Sequence, residues 1–95
     1  MSELDALCER AVKLWGIRAQ VGMMMEEAAE LIVALNKYDR GEIQAPDVVE
    51  ELVDTAVMVT QMRLYFDPDS RYWDAKRSEK LRRLSYRLEM EEAKK

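Results

Sequence analysis

Apolar residues recur every three or four positions through most of this 95-residue chain, in four stretches separated by turn-forming breaks. Ser2, with Asp5 three residues later, has the form of a capping box. It opens a first predicted helix whose stripe is Leu4, Leu7, Ala11 and Leu14, closed by Trp15 and Gly16. A second helix is predicted from about Arg18 to Tyr38, with Val21, Met24, Met25, Ala28, Leu31, Ile32 and Leu35 at helical spacing. Asp39-Arg40-Gly41 ends it, Gly41 being a natural cap residue. Pro46 in a first turn, followed by Asp47 and Glu50 near the positive end of the helix dipole, opens a third helix that reaches about Phe66. Asp67-Pro68-Asp69-Ser70 breaks the pattern. A fourth helix begins at Asp69 or Ser70 and carries Trp73, Leu81, Leu84 and Leu88 before fading into the polar tail from Glu91 to Lys95.

The third helix differs from the others, because Val48, Val49, Leu52, Val53, Ala56, Val57, Met58, Val59 and Met62 cover much of its circumference. A helix apolar on more than one side is usually buried on more than one side. The second covering comes either from a helix of the same chain or from another subunit. The short connection from Arg40 to Ala45 makes the second and third helices antiparallel neighbours. A hydrophobic fraction of 48%, with 36% charged residues, three Gly and two Pro, fits apolar-striped helices and neither disorder nor a β-sandwich. The expectation is one all-α domain spanning the chain. At this length a single core is only modestly stable, which favours a homo-oligomer, a homodimer or a dimer of dimers.

The net charge of −4 argues against nucleic acid as the main partner. The basic residues are nevertheless concentrated: from Arg71 to Arg87 there are seven Lys or Arg against two acids, Asp74 and Glu79. That segment either meets anions or forms a solvated face. A single cysteine, Cys8, and the lack of histidine exclude an internal disulfide framework, a zinc-finger pattern and a histidine base. Carboxylates and lysines are left for acid–base and metal chemistry. No apolar run approaches a membrane span, and the N-terminal stretch is acidic and amphipathic instead of a basic leader, so a cytoplasmic protein without a membrane partner is expected.

The acids carry the chemistry. Glu26-Glu27-Ala28-Ala29-Glu30 and Glu50-Glu51-Leu52-Val53-Asp54 repeat one pattern at an offset of 24 residues, each within a predicted helix. Spacing i, i+3 places Glu27 with Glu30, and Glu51 with Asp54, on the same side of their helices. With a step of about 100° per residue, Glu27 flanks the apolar stripe through Ala28 and Glu30 sits just beyond it; Glu51 and Asp54 stand in the same relation to Leu52. Glu30 lies 12 residues before position 42 and Asp54 lies 12 after it, which puts the two pairs at one level of an antiparallel hairpin. Either run alone reads as a solvated face, but matched phase and level predict one oxygen-rich site suited to Mg²⁺. Glu26 and Glu50 point more nearly away from the stripes.

At these residues the chain resembles the MazG-like all-α nucleoside triphosphate pyrophosphohydrolases, whose signature is Glu-Glu-x-x-Glu, a spacer, then Glu-x-x-Asp. The approach segment Leu14-Trp15-Gly16-Ile17-Arg18-Ala19-Gln20 is also similar to MazG-type sequences. The resemblance implies an antiparallel four-helix MazG-like bundle and Glu27, Glu30, Glu51 and Asp54 as Mg²⁺ ligands and catalytic residues, with Mn²⁺ as a substitute. It implies cleavage between the α- and β-phosphates of a (deoxy)nucleoside triphosphate to a monophosphate and pyrophosphate. Glu26 or Glu50, or one of the ligands, would take the proton of the attacking water. Family members hold phosphates with the last helix. The comparable residues here are Lys76, Lys80 and Arg83, which share one helical face, although Lys80 stands where an Asn is expected. Trp15 and Gln20 are candidates for a base pocket, with core packing the simpler role for Trp15; Met23, Met24, Met25 and Met58 read as adaptable packing.

The leading expectation is therefore a Mg²⁺-dependent nucleotide pyrophosphohydrolase that removes non-standard or surplus nucleotides. Phosphoribosyl-ATP hydrolysis is a narrower alternative within the same superfamily. A non-catalytic helical interaction module, its acids serving as surface charge, is the alternative of a different class.

Overall fold

The computed structural model describes residues 2–95, and they form four helices joined by short turns. Helix α1 spans Glu3–Trp15, α2 Ile17–Asp39, α3 Ala45–Phe66 and α4 Arg71–Ala93. No strand occurs among the described residues, and no helix is long and apolar enough to cross a membrane.

Each boundary has a local cause. The Ser2 hydroxyl accepts the Asp5 backbone N–H at 3.0 Å, satisfying one of the free donors of α1. Gly16, at φ +86° and ψ 151°, ends α1 and lets α2 begin at the very next residue. At the end of α2, Gly41 takes φ +77°, and its N–H reaches the Tyr38 carbonyl while that of Glu42 reaches Lys37. This pair of bonds is the Schellman arrangement that only a left-handed residue allows cheaply. The Asp47 carboxylate accepts the Gln44 N–H at 3.0 Å and fixes the start of α3, where Pro46 occupies the first turn. Helix α4 continues to Ala93 through the polar tail, because Glu89, Glu91 and Glu92 are good helix formers and need no apolar stripe to stay helical.

Helices α2 and α3 form the closest pair, and α1 packs across them, mainly on α3. The core is small: Cys8, Ala34 and Met58 are the buried apolar residues among those described, together with the polar Gln20 and Gln61. The line of α1 that faces inward is Asp5, Cys8 and Val12; the predicted stripe of Leu4, Leu7 and Leu14 faces outward. On α3, both α1 and α2 pack against the helix and Met58 is enclosed, as expected of a helix apolar on more than one side, but Val49, Leu52 and Val53 in its first half are exposed.

Helix α4 stands apart. Its residues from Arg71 onward are all exposed, and it is tied to the rest at its first turn. There the Asp67 carboxylate accepts the Trp73 N–H at 2.7 Å. Arg63 of α3 donates to the Ser70 hydroxyl, lies 5.9 Å from the Trp73 ring centre and pairs with Asp5 of α1 at 3.7 Å. The expected four-helix bundle is thus, in one copy, a packed group of three helices with a fourth projecting. The radius of gyration is 16.8 Å, against about 12.4 Å for a compact chain of this length. The accessible surface is 7667 Å² for 11.1 kDa, against about 5,650 Å² for a folded monomer of that mass.

Two glycines test the α1–α2 joint. Gly16→Ala is expected to cost about 1–3 kcal/mol through its positive φ, although nothing lies within 4 Å of the added Cβ. Gly22, inside α2 and equally uncrowded, should instead stabilise by about 0.5–1 kcal/mol when replaced by Ala. Denaturant midpoints of the two variants check both signs.

Candidate metal centre

The α2–α3 pairing sets the acids. Both helices present an apolar seam to each other, and the acids flank it, so closing the seam forces them together. One oxygen from each of Glu27, Glu51 and Asp54 lies within 4.8 Å of the others. Oxygens around one Mg²⁺ at about 2.1 Å are at most about 4.2 Å apart. The side chains would have to draw slightly closer than this to share a single ion. Thr55 ties the helices at this level: its hydroxyl lies 2.8 Å from the Glu51 carbonyl of its own helix and 3.4 Å from the Glu27 carbonyl across the seam.

Glu27 and Glu51 are half-buried residues, yet the Oε2 atom of each is closed off from solvent and has no hydrogen-bond partner. Buried oxygens of this kind normally have a donor or a cation opposite them. Both carboxyls are held above the ordinary glutamate value. For Glu27 the cause is first burial, then the charges of Glu30, Asp54 and Glu51. For Glu51 it is burial, then Glu30, Asp54 and Glu50. No cationic side chain appears among the groups acting on either, so the site is an uncompensated concentration of negative charge. Its donor set, hard and all-oxygen, fits Mg²⁺ or Mn²⁺ and does not suit a soft thiophilic ion.

The other predicted residues divide. Glu30 is exposed and lies outside the tight set, as its position beyond the stripe implies, but its charge still acts on Glu27 and Glu51. Glu26 and Glu50 are exposed beside the site. Trp15, 62% exposed, is not core; it lines an apolar groove of about 790 Å³ with Leu4, Leu7, Leu14, Val57 and Gln61. Gln20 is enclosed and does not line that groove. Met58 is buried, whereas Met23 and Met25 are exposed.

Lys76, Lys80 and Arg83 lie on the projecting α4 and do not approach the acids of their own chain. Lys76 is held instead by Glu79 at 3.3 Å and lies 5.5 Å from the Tyr72 ring centre. The hydrogen bond and charge of Glu79 push the lysine above its ordinary range and draw the glutamate below its own.

Three residues with structural roles at the site or its support carry no advance signal beyond their types. Thr55 follows Glu51 by one turn and has a hydroxyl, but only the register shows which carbonyls it meets. Arg63 links three helices, and Gln61 is enclosed with its side-chain oxygen unpaired. Set against protein-family models, curated proteins and solved structures, the chain matches none. The resemblance to MazG-like enzymes therefore rests on the residues that suggested it, the two acid runs in their helices and the segment from Leu14 to Gln20.

The raised carboxyls give a pH test. A carboxyl whose folded value lies above its unfolded value costs stability once the pH exceeds the folded value, and costs nothing below the unfolded value of 4.5. In a chelator, Glu27→Gln should therefore melt above the parent at pH 7.5, and the gap should close as the pH falls toward 4.5. Circular-dichroism melts across that range check it; a gap that widens on acidification contradicts the assigned repulsion.

Proposed function

We propose that this protein is a Mg²⁺-dependent nucleotide pyrophosphohydrolase of MazG-like type, cleaving the α–β phosphoanhydride of (deoxy)nucleoside triphosphates to a monophosphate and pyrophosphate, and serving to clear unwanted nucleotides. The observation that carries the reading is the convergence of Glu27, Glu51 and Asp54 from two helices, with buried and unpaired Oε2 atoms on Glu27 and Glu51. These are three of the four positions at which the resemblance places metal ligands, and Glu30 stands beside them.

In this reading the ion would supply neutralisation of phosphate charge and a more acidic bound water. The chain supplies the rest. Glu27, Glu51 and Asp54 hold the ion, Glu30 adds charge at the rim, and Thr55 keeps the two helices in register beneath them. Glu26 or Glu50, exposed and one residue from the ligands, or one of the ligands themselves, would accept the water proton. The groove beside Trp15 offers an apolar, aromatic surface for a base, while Gln20, being enclosed, is a poor partner for one. The working form is a homo-oligomer, which the surplus surface of the single copy favours. Phosphoribosyl-ATP remains the narrower substrate alternative. The large exposed apolar surface is what favours the other reading, a helical interaction module without catalysis.

Two measurements separate these readings. The purified protein with Mg²⁺ or Mn²⁺ should release pyrophosphate from at least one member of a panel of canonical and modified triphosphates, with phosphoribosyl-ATP included; release from none sinks the enzymatic proposal. Mg²⁺ at a hundred times its dissociation constant should stabilise the fold by about 2.7 kcal/mol, a rise of roughly 10 °C in the melting midpoint. Glu27→Gln and Asp54→Asn should abolish that rise and the activity, whereas Glu26→Gln should keep the rise.

A further inference from the structure

Gln61 of α3 is only 7% exposed, and its side-chain oxygen is closed off from solvent with no hydrogen-bond partner. Outside the acid site it is the one such side-chain atom among the described residues. A buried amide oxygen without a donor costs stability, so an occupant that supplies one is favoured beside it.

Gln61 stands between two grooves. The smaller, of about 360 Å³, runs beside Leu64 and Tyr65 toward Pro68. The larger, of about 790 Å³, runs past Val57 beside Leu7, Leu14 and Trp15. Only the larger reaches Val57, one turn from Asp54 of the acid site. Asp54, Val57 and Gln61, at i, i+3 and i+7, lie on one face of α3, and Gln61 is about 10 Å beyond Asp54 along the helix. That rise is comparable to the span of one nucleotide. No acid lines the larger groove, whereas Arg10 and Lys13 do, so an anionic ligand meets no repulsion there. Trp15, exposed at its edge, offers a ring face for stacking. Gln20 is equally enclosed but does not line the groove.

We propose that Gln61 pairs with the base edge of the nucleotide whose phosphates the ion at Glu27, Glu51 and Asp54 would hold, with Trp15 stacked on the ring. The inference rests on the nucleotide reading of the acids and adds to it the residue that meets the base. An amide presents one acceptor beside one donor and exchanges them by a half-turn, so it accommodates any base edge that alternates donor and acceptor. A carboxylate in its place presents two acceptors, which suit the adjacent N1–H and N2–H donors of guanine.

Calorimetric titration with non-hydrolysable α,β-methylene analogues of the four common deoxynucleoside triphosphates, in Mg²⁺, tests this without turnover. The parent should bind at least one analogue. Gln61→Leu should weaken that binding about tenfold, and Gln61→Glu should move the guanine-to-adenine affinity ratio about tenfold toward guanine. Both variants should keep Mn²⁺ binding at the acids. A purely structural role for Gln61 would change all four analogues alike. Analogue binding that neither substitution alters, or that Gln61→Glu alters equally for every base, overturns the pairing and leaves the hydrolase reading standing. A parent that binds no analogue overturns both. If the Gln61 variants fail to fold, Trp15→Ala carries the test, since that ring lies outside the core. It should weaken analogue binding about tenfold and spare Mn²⁺ binding, and unchanged analogue binding overturns the proposed base site.

Discussion

Repulsion among the carboxylates along the α2–α3 seam constrains everything else in this molecule. The apolar stripes of the two helices can meet only if Glu27, Glu51 and Asp54 meet as well, since each acid borders the stripe it would have to leave. Burial of the seam therefore carries the electrostatic penalty with it, visible in the raised carboxyls of Glu27 and Glu51 and in their unpaired inner oxygens. A protein selected for stability alone would have moved these acids outward or matched them with cations. The nearest cations of comparable density lie on α4, which the single copy holds away from the seam. Held against their own repulsion, the acids form a concentration of negative charge that a divalent cation would neutralise.

A second constraint is area. Three packed helices enclose Cys8, Ala34 and Met58 and little else that is apolar, while Leu14, Ile32, Val53 and Leu84 remain in contact with water. The same single copy separates its charge, with residues 1–70 acidic and residues 71–87 basic.

Much of the fold is legible in the sequence because its signals are local. Gly16 and Gly41 mark two helix ends through positive φ, Pro46 and Asp47 mark a start, and the periodicity between them leaves one helix choice. The α2–α3 acids are legible for the same reason: phase relative to a stripe and level in a hairpin follow from counting. What escapes is whatever packing alone decides. Helix α1 carries two apolar lines, and the sequence favours Leu4, Leu7 and Leu14, whereas the smaller Cys8 and Val12 fit against α3. Trp15 and Gln20 share a segment that suggests a common pocket, yet the turn at Gly16 sends the ring outward and encloses the amide. The departure of α4 from the bundle has no signature in its own residues, since a stripe is written the same way for a cover of either origin. Nor does the seam reveal in advance that Glu30 stands outside the tight set or that Thr55 bridges it.

The central claim is that the seam is a divalent-cation site, and Mn²⁺ binding followed by electron paramagnetic resonance addresses it without reference to substrate. Titrating Mn²⁺ into the chelator-treated protein should remove the free-ion signal saturably, in proportion to the number of chains. Excess Mg²⁺ should restore the signal, and Asp54→Asn should not remove it. A free-ion signal that persists unchanged with the parent protein, or is lost equally with Asp54→Asn, contradicts the account.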